Sequence, residues 1–204
     1  MSARRFHRQQ LCIALAVSMV ACALSVRPWR GLIEHSMVWH MAVQMPMLVA
    51  GGWLWIGAAI SGPDSRRLDA WNRYGLTGFF ASQVVFAYWM LPLAIDRAVV
   101  MPTADAVKVA ILLACGAMLK HSFDRSPPVM QLFFVGYAVS MLVAAGVFLA
   151  TTESRLCNAY LMDSQVAAGW SVAVLGVAIG VAWGLGALQG VRVTTRRRQG
   201  FPDP

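Results

Sequence analysis

Long apolar segments alternate with short polar connections along most of this chain. Several of these segments approach or exceed the roughly 18–20 residues that a helix needs to cross a bilayer. The pattern therefore predicts an all-α protein, a polytopic transmembrane helical bundle of about six spans. The predicted spans are residues 10–26, 36–60, 76–95, 105–120, 129–150 and 166–188. The 204 residues then form a single integral membrane domain that ends in a basic cytoplasmic tail, residues 189–204.

The composition is that of a membrane protein. Hydrophobic residues make up 58% of the chain and charged residues only 13%, whereas soluble domains carry about 25% charged residues. The net charge of +8 could indicate nucleic-acid binding, but the Arg residues lie in short loops and tails between apolar segments. That distribution is typical of membrane orientation. We therefore expect membrane lipid, and no nucleic acid, among the partners.

The positive charges predict which side of the membrane each connection occupies. With the N-terminus inside, twelve of the 17 Lys and Arg residues fall in inside segments and five in outside segments. This bias obeys the positive-inside rule and predicts that both termini are cytoplasmic. Residues 10–26 also fit a signal peptide, with a basic start and a candidate ACA cleavage site. An uncleaved signal-anchor helix is the favoured interpretation.

The start of the second predicted span is rich in histidine and methionine. HSMVWHMAVQMPML, residues 35–48, contains two of the four histidines and four of the twelve methionines. Met37, His40, Met41 and Gln44 have the i, i+3, i+4, i+7 spacing that places side chains on one face of a helix. Thioethers select Cu(I) and imidazole binds several metals, so this face is a candidate copper site. The ordinary alternative is that the methionines fill gaps in the core and the histidine bonds a neighbouring helix.

A polar connection, residues 151–165, is predicted on the same outer side as this candidate site. It would bring Tyr160 and Met162 to the surface that holds His40, which makes Met162 a further candidate ligand. His121 ends the fourth span on the opposite side, on the order of 25–30 Å from His40. A haem held between these two histidines is therefore not expected.

Cysteines and glycines support two further predictions. None of the four cysteines forms a C-x-x-C pair, which argues against a zinc knuckle or a thioredoxin-like site. The predicted orientation leaves a disulfide possible only between Cys22 and Cys157. In the last span Gly176, Gly180 and Gly184 repeat every four residues, a spacing that lets helices approach closely. Packing within the chain is favoured over a dimer interface.

The sequence offers little support for an enzyme or a transporter. It contains no phosphate-binding loop, no nucleophile elbow and no H-E-x-x-H motif. Asp105 and Lys108 stand at the outer start of the fourth span, where Asp can cap a helix and Lys can extend to the interface. No acidic residue lies in the middle of a span, so a proton relay has no obvious members.

Two segments resemble one family. Residues 36–55, SMVWHMAVQMPMLVAGGWLW, are similar to the signature helix of the CtaG-type cytochrome c oxidase assembly factors, whose pattern is close to H-M-x-x-H. His40 and Met41 match its first two positions, and Gln44 stands where the family has its second histidine. Residues 161–170, LMDSQVAAGW, resemble the family's D-Q-x-x-A-G segment with one inserted residue. The family is usually seven-span, against the six spans predicted here.

The resemblance implies a non-enzymatic role in maturing a haem–copper oxidase, by handling Cu(I) at the outer face of a bacterial inner membrane. Its partners would then be oxidase subunits or another membrane complex. The alternative is a structural accessory subunit of such a complex, with a degenerate metal site. The candidate copper ligands are His40, Met41, Met37, His35, Gln44 and Met162.

Overall fold

A computed structural model describes residues 12–13, 15–20, 23, 36–59 and 70–198. This part of the chain contains helices joined by turns and short loops, and no strand, so the predicted all-α class is confirmed. A π-helical segment, Trp39–Gln44, leads into the first long helix, and a 3₁₀ turn, Arg73–Gly75, precedes the second. The helices are α1 Met45–Ala59, α2 Leu76–Trp89, α3 Pro92–Val100, α4 Pro102–Arg125, α5 Pro128–Thr151 and α6 Met162–Arg198.

Within the described residues, three helical segments are long and apolar enough to cross a membrane. They are α4, α5 and the part of α6 from Met162 to Gln189. The helical stretch Arg73–Trp89 and α3 pass the same test only as a pair bent by 73°, which gives up to four spans. Helix length and hydropathy thus identify a multi-pass membrane protein. The count of six spans and the side of each terminus stay predictions, because eight of the 17 residues in the segment 10–26 lie outside the described residues.

The predicted third span, residues 76–95, is not one continuous helix. α2 ends at Trp89, Leu91 is extended with a ψ of 127°, and Pro92 begins α3. Proline pushes the residue before it out of the helical region and has no N–H to continue the hydrogen-bond ladder. The break therefore follows from the sequence Leu-Pro, and the prediction of a single helix is corrected.

Two helices are longer than their apolar cores. α4 runs from Pro102 to Arg125, beyond the predicted 105–120, and α6 continues to Arg198, into the segment predicted as a tail. Hydropathy marks the apolar centre of a helix, whereas the backbone continues as a helix through interfacial polar residues. The basic segment is therefore helical over most of its length.

A close contact between α1 and α4 depends on glycine in both helices. A Cβ atom added to Gly52 would lie 1.9 Å from the carbonyl oxygen of Leu113, and one added to Gly116 would lie 1.9 Å from that of Val49. The two backbones touch at this crossing, so any larger side chain would force the helices apart. The crossing holds the start of α1 close to the first turns of α4.

A second glycine contact joins α5 and α6. A Cβ atom at Gly146 or Gly169 would lie 2.5 Å from the carbonyl oxygen of the other residue. In the predicted glycine stripe, a Cβ atom at Gly176 or Gly180 would lie 2.9 or 3.2 Å from a side chain of α5. At Gly184 nothing in the described part of the chain lies within 4 Å. The first two glycines of the stripe thus pack within the chain.

Candidate functional site

A group of buried polar side chains lies where the π-helical segment, the first turns of α4 and the loop before α6 meet. We call this group the polar cluster; each member is at most 8% exposed. Its members come from three separate parts of the chain, so the fold, and not local sequence, assembles it. The members are His40, Gln44, Asp105, Lys108 and Tyr160.

Lys108 is the centre of the polar cluster, and its side chain is completely shielded. The Nζ atom lies 2.5 Å from Oδ1 of Asp105, 3.1 Å from Oε1 of Gln44 and 3.2 Å from Nε2 of His40. An ammonium group has three hydrogens to donate, and here it meets a carboxylate, an amide oxygen and a ring nitrogen. Burying an unpaired charge costs several kcal/mol, so these three partners explain why a lysine is tolerated inside the bundle.

Two expectations for the first turns of α4, that Asp105 caps the helix and that Lys108 extends to the interface, are both wrong. Lys108 does not extend to the interface, because it turns inward to Asp105, which lies three residues earlier on the same face. Asp105 does not cap the helix either. The N-cap residue is Met101, which makes no side-chain cap hydrogen bond, and Pro102 follows it. Both charged groups thus belong to the interior of the bundle.

His40 is held at both ring nitrogens. Nδ1 lies 3.2 Å from the hydroxyl oxygen of Tyr160, and Nε2 faces the ammonium of Lys108. Because an ammonium can only donate, the hydrogen-bond network assigns Nε2 as the acceptor and puts the proton of the neutral ring on Nδ1. The ring then donates to the tyrosine oxygen. A metal ion at Nε2 would have to displace Lys108.

The π-helical geometry has a local cause. Pro46 has no N–H to donate to the carbonyl of Ala42, and in a regular α-helix its ring would clash with that carbonyl. The chain widens its turn immediately before this proline, and the N–H of Met45 donates to the carbonyl oxygen of His40, five residues earlier. Such π-helical turns are frequent at functional sites. The widened turn presents His40 and Gln44 together to Lys108.

Residues at the start of α6 position the loop that precedes this helix. The Gln165 side chain accepts the N–H of Leu156 at 2.9 Å and donates to two backbone carbonyls, each 3.3 Å away. The Ser164 hydroxyl accepts the N–H of Met37 at 2.8 Å. These bonds fix the loop that carries Tyr160 against the segment that carries the histidine. Sequence reasoning placed His40 and Tyr160 on one side, and they are in contact.

The predicted copper ligands have different surroundings. Met37 and Met41 are buried in the apolar core, at 0% and 1% exposure, whereas Met162 is half-buried at the first residue of α6. His35 lies outside the described residues. Among the residues that are described, no group of three or more His, Cys, Asp or Glu side chains could hold a metal ion. The copper site stays a prediction based on His40 and its neighbouring thioethers.

The other predicted features lie away from the polar cluster. His121 is about 20 Å from Lys108 along α4 at 1.5 Å per residue, and its Nδ1 lies 3.0 Å from the amide nitrogen of Asn72. His40, which contacts Lys108, and His121 therefore lie at different depths in the bundle, as predicted. Cys157 is a buried free thiol, and its predicted partner Cys22 lies outside the described residues. Burial, and then the charge of Asp96, raise the pKa of the Cys157 thiol to about 11.

Sequence reasoning missed Lys108 as a site residue. A signal was present, because an ionisable residue within a membrane helix is a functional candidate by default, and Asp105 stands three positions before it. The partnership with His40 spans 68 positions of sequence, and no local pattern indicates it.

Comparison with known proteins gives no match. No protein-family model matches the chain, and no curated protein or solved structure matches it. The site is therefore interpreted from its own geometry and from the two motifs described above.

Proposed function

We propose that this chain is a non-enzymatic membrane protein that assists a haem–copper cytochrome c oxidase from the outer side of a bacterial inner membrane. The observation that carries the proposal is the contact between the two motifs of the resemblance. Met37, in the segment 36–55, bonds Ser164, in the segment 161–170, at 2.8 Å. The polar cluster forms directly beside this contact. Two segments that share a family likeness and are distant in sequence thus meet beside one buried site.

Copper handling is the first form of this role. Met37, His40 and Met41 would supply two thioethers and an imidazole, a ligand set that suits Cu(I). Since Lys108 faces Nε2 of His40, Cu(I) would compete with an ammonium for that nitrogen. Competition of this kind keeps the metal exchangeable, which suits transfer to an oxidase better than storage.

A structural role within the complex is the second form, and one observation favours it. Both nitrogens of His40 already have protein partners, and Gln44, at the position of the family's second histidine, bonds Lys108. In this form the polar cluster is a clamp that joins the π-helical segment, α4 and the outer loop. The chain would then be an accessory subunit with a degenerate metal site.

Cu(I) binding to the purified protein distinguishes the two forms. Under reducing conditions, copper handling predicts about one Cu(I) per chain, lost in His40→Ala and weakened in Met37→Leu. Lys108→Met, which removes the competing ammonium, should bind Cu(I) more tightly than the wild type. Met118→Leu changes a methionine on the inner half of α4 and should have no effect. If neither the wild type nor any variant binds copper and His40→Ala lowers the unfolding temperature, the result supports the structural role.

The link to an oxidase has its own test. Membranes of cells that lack the protein, or carry His40→Ala, should contain an oxidase with reduced copper content and activity. Copper handling predicts a transient association with the oxidase, whereas the accessory role predicts stable co-purification. An oxidase of normal copper content and activity in the deletion strain would contradict both forms.

A further inference from the structure

A cavity of about 690 Å³ lies between α1, α2, α4, α5 and α6. None of the described residues that line it is charged, and seven of them carry aromatic rings. A polar or charged group inside such walls would lose its hydration without gaining a partner, which is costly. The lining therefore suits a hydrocarbon and excludes a polar headgroup.

The cavity separates two pairs of closely packed helices. α1 packs on α4 through Gly52 and Gly116, and α5 packs on α6 through Gly146 and Gly169. The π-helical segment meets α6 at one end, but beyond it the backbones of the first pair approach those of the second pair at few points. The space between the two pairs is thus left open by the way the helices pack.

One side of the cavity is closed and another side is open. Between α2 and α5, the rings of Phe79 and Phe134 stack at 4.8 Å, and Nε2 of Gln83 donates to the carbonyl oxygen of Phe134 at 3.1 Å. Among the described residues that line the cavity, only Ala50 of α1 and Ile179 of α6 are exposed. Since Ile179 lies in a helix long and apolar enough to cross a membrane, the mouth between α1 and α6 faces the hydrocarbon of the bilayer.

The dimensions of the cavity match those of lipid tails. From Leu112 to Phe123 the lining follows α4 for about 17 Å, close to the depth of one leaflet, which is half of a hydrocarbon core of about 30 Å. An apolar cavity of about 150 Å³ holds the carbons of one benzene molecule. At that density 690 Å³ holds roughly 28 carbons, the size of a pair of acyl chains.

We propose that the cavity binds the hydrocarbon tails of one bilayer phospholipid, which enter between Ala50 and Ile179 while the headgroup stays outside. The surrounding lipid is as apolar as the walls, so the hydrophobic effect does not favour entry. Walls without a neighbour lose dispersion contacts, and each carbon of a bound tail restores some of them. The site therefore recognises the length of the tails and not the headgroup. It is separate from the polar cluster and does not depend on the function proposed above.

Native mass spectrometry of the full-length protein in detergent tests this site, with dimyristoylphosphatidylcholine as the probe. We expect binding that saturates at a single lipid per chain. Dimyristoylphosphatidylethanolamine, which has the same tails and another headgroup, should bind equally well. Dihexanoylphosphatidylcholine, which has the same headgroup and short tails, should bind at least about tenfold more weakly, because it restores fewer contacts with the walls.

Two pairs of tryptophan substitutions locate the bound lipid. Ala138→Trp fills part of the cavity and should weaken binding about tenfold or more, whereas Ala144→Trp, at an exposed position of the same helix, should not. Ile179→Trp narrows the mouth and should slow lipid exchange, whereas Val181→Trp, 56% exposed and outside the lining, should not. Because Ile179 is 41% exposed, its replacement leaves the core intact, and this pair keeps the test decisive if Ala138→Trp does not fold.

Three results would overturn the proposal. One is the absence of saturable lipid binding to the wild type. Another is equal affinity for the dihexanoyl and dimyristoyl lipids, which would place the lipid headgroup, and not its tails, on the protein. The third is wild-type exchange in Ile179→Trp together with wild-type affinity in every folded cavity variant. Circular dichroism shows whether each variant is folded, so loss of fold and loss of binding are read separately.

Discussion

Replacing Lys108 with methionine should destabilise this protein more than replacing Lys120, the only other lysine of the chain. Methionine keeps the length of the side chain but removes the charge. The change leaves the Asp105 carboxylate without its ammonium partner; the aspartate side chain taken alone is 11% exposed. It also removes the donor that faces His40 and Gln44. Removing one partner of a buried ion pair costs about 3–5 kcal/mol. Because the carboxylate keeps some contact with solvent, we expect the free energy of unfolding to fall by about 3 kcal/mol.

A double-mutant cycle isolates the ion pair from the other effects. Lys108→Met combined with Asp105→Asn removes both charges, and we expect it to cost only about 1 kcal/mol, because no buried charge is left unpaired. The Asp105→Asn single variant completes the cycle, and the two single losses minus the double loss give a coupling free energy of about 2 kcal/mol or more. The assay is unfolding in mixed micelles of rising denaturing-detergent fraction, followed by tryptophan fluorescence. Each variant gives a free energy of unfolding.

Lys120 provides a matched control on the same helix. It pairs with Asp124, but the side chains of this pair are 24% and 51% exposed. Exposed pairs contribute about 0–1 kcal/mol, so Lys120→Met should be nearly neutral. An equal loss of unfolding free energy in the Lys108→Met and Lys120→Met variants would refute the reasoning. So would an Asp105→Asn, Lys108→Met double variant whose loss of unfolding free energy equals the sum of the losses in its two single variants.

Three further predictions concern packing, thiol chemistry and the outer loop. Gly116→Ala puts a methyl group 1.9 Å from a backbone oxygen of α1 and should lower the unfolding temperature. Gly184→Ala should raise the unfolding temperature, because an added Cβ atom has nothing within 4 Å and Ala favours a helix over Gly by about 1 kcal/mol. A lower unfolding temperature in both variants would contradict the packing described. Because burial raises its pKa from 9.0 to about 11, Cys157 should react with a maleimide about a hundredfold more slowly at pH 8 than an unperturbed thiol. The rate of the maleimide reaction should rise about tenfold per pH unit until pH 11. A rate that levels off near pH 9 would contradict the raised pKa of Cys157. Tyr160→Phe removes the hydroxyl that bonds the imidazole and should cost about 1 kcal/mol, whereas Tyr137→Phe, at a side chain 54% exposed, should leave the free energy of unfolding unchanged.

The sequence predicted the apolar helices well, because hydropathy reports directly where a helix can meet lipid. It did not predict the break at Leu91, because an average over an apolar window conceals a single proline. The contact between Gly146 and Gly169 was also missed, since one glycine in each of two helices forms no spacing pattern.

The candidate site was predicted only in part. Orientation alone placed His40 and Tyr160 on one side, because the side on which a connection lies depends only on the order of the spans. Lys108 was assigned to the interface because its charge is costly in lipid. Its actual position depends on partners that distant parts of the chain supply. An apolar cavity between α1, α2, α4, α5 and α6 depends on how these five helices cross, which no sequence pattern specifies.

The ion pair within α4 also bears on how the chain enters the membrane during synthesis. Asp105 and Lys108 are three residues apart on one helix, so each charge has its counter-ion as soon as that helix forms. These two charges can therefore enter the bilayer as a neutral pair, before contacts with other parts of the chain form. The histidine contact through Tyr160 forms only when the outer loop has been completed. Insertion and final assembly of the polar cluster are thus separate events in time.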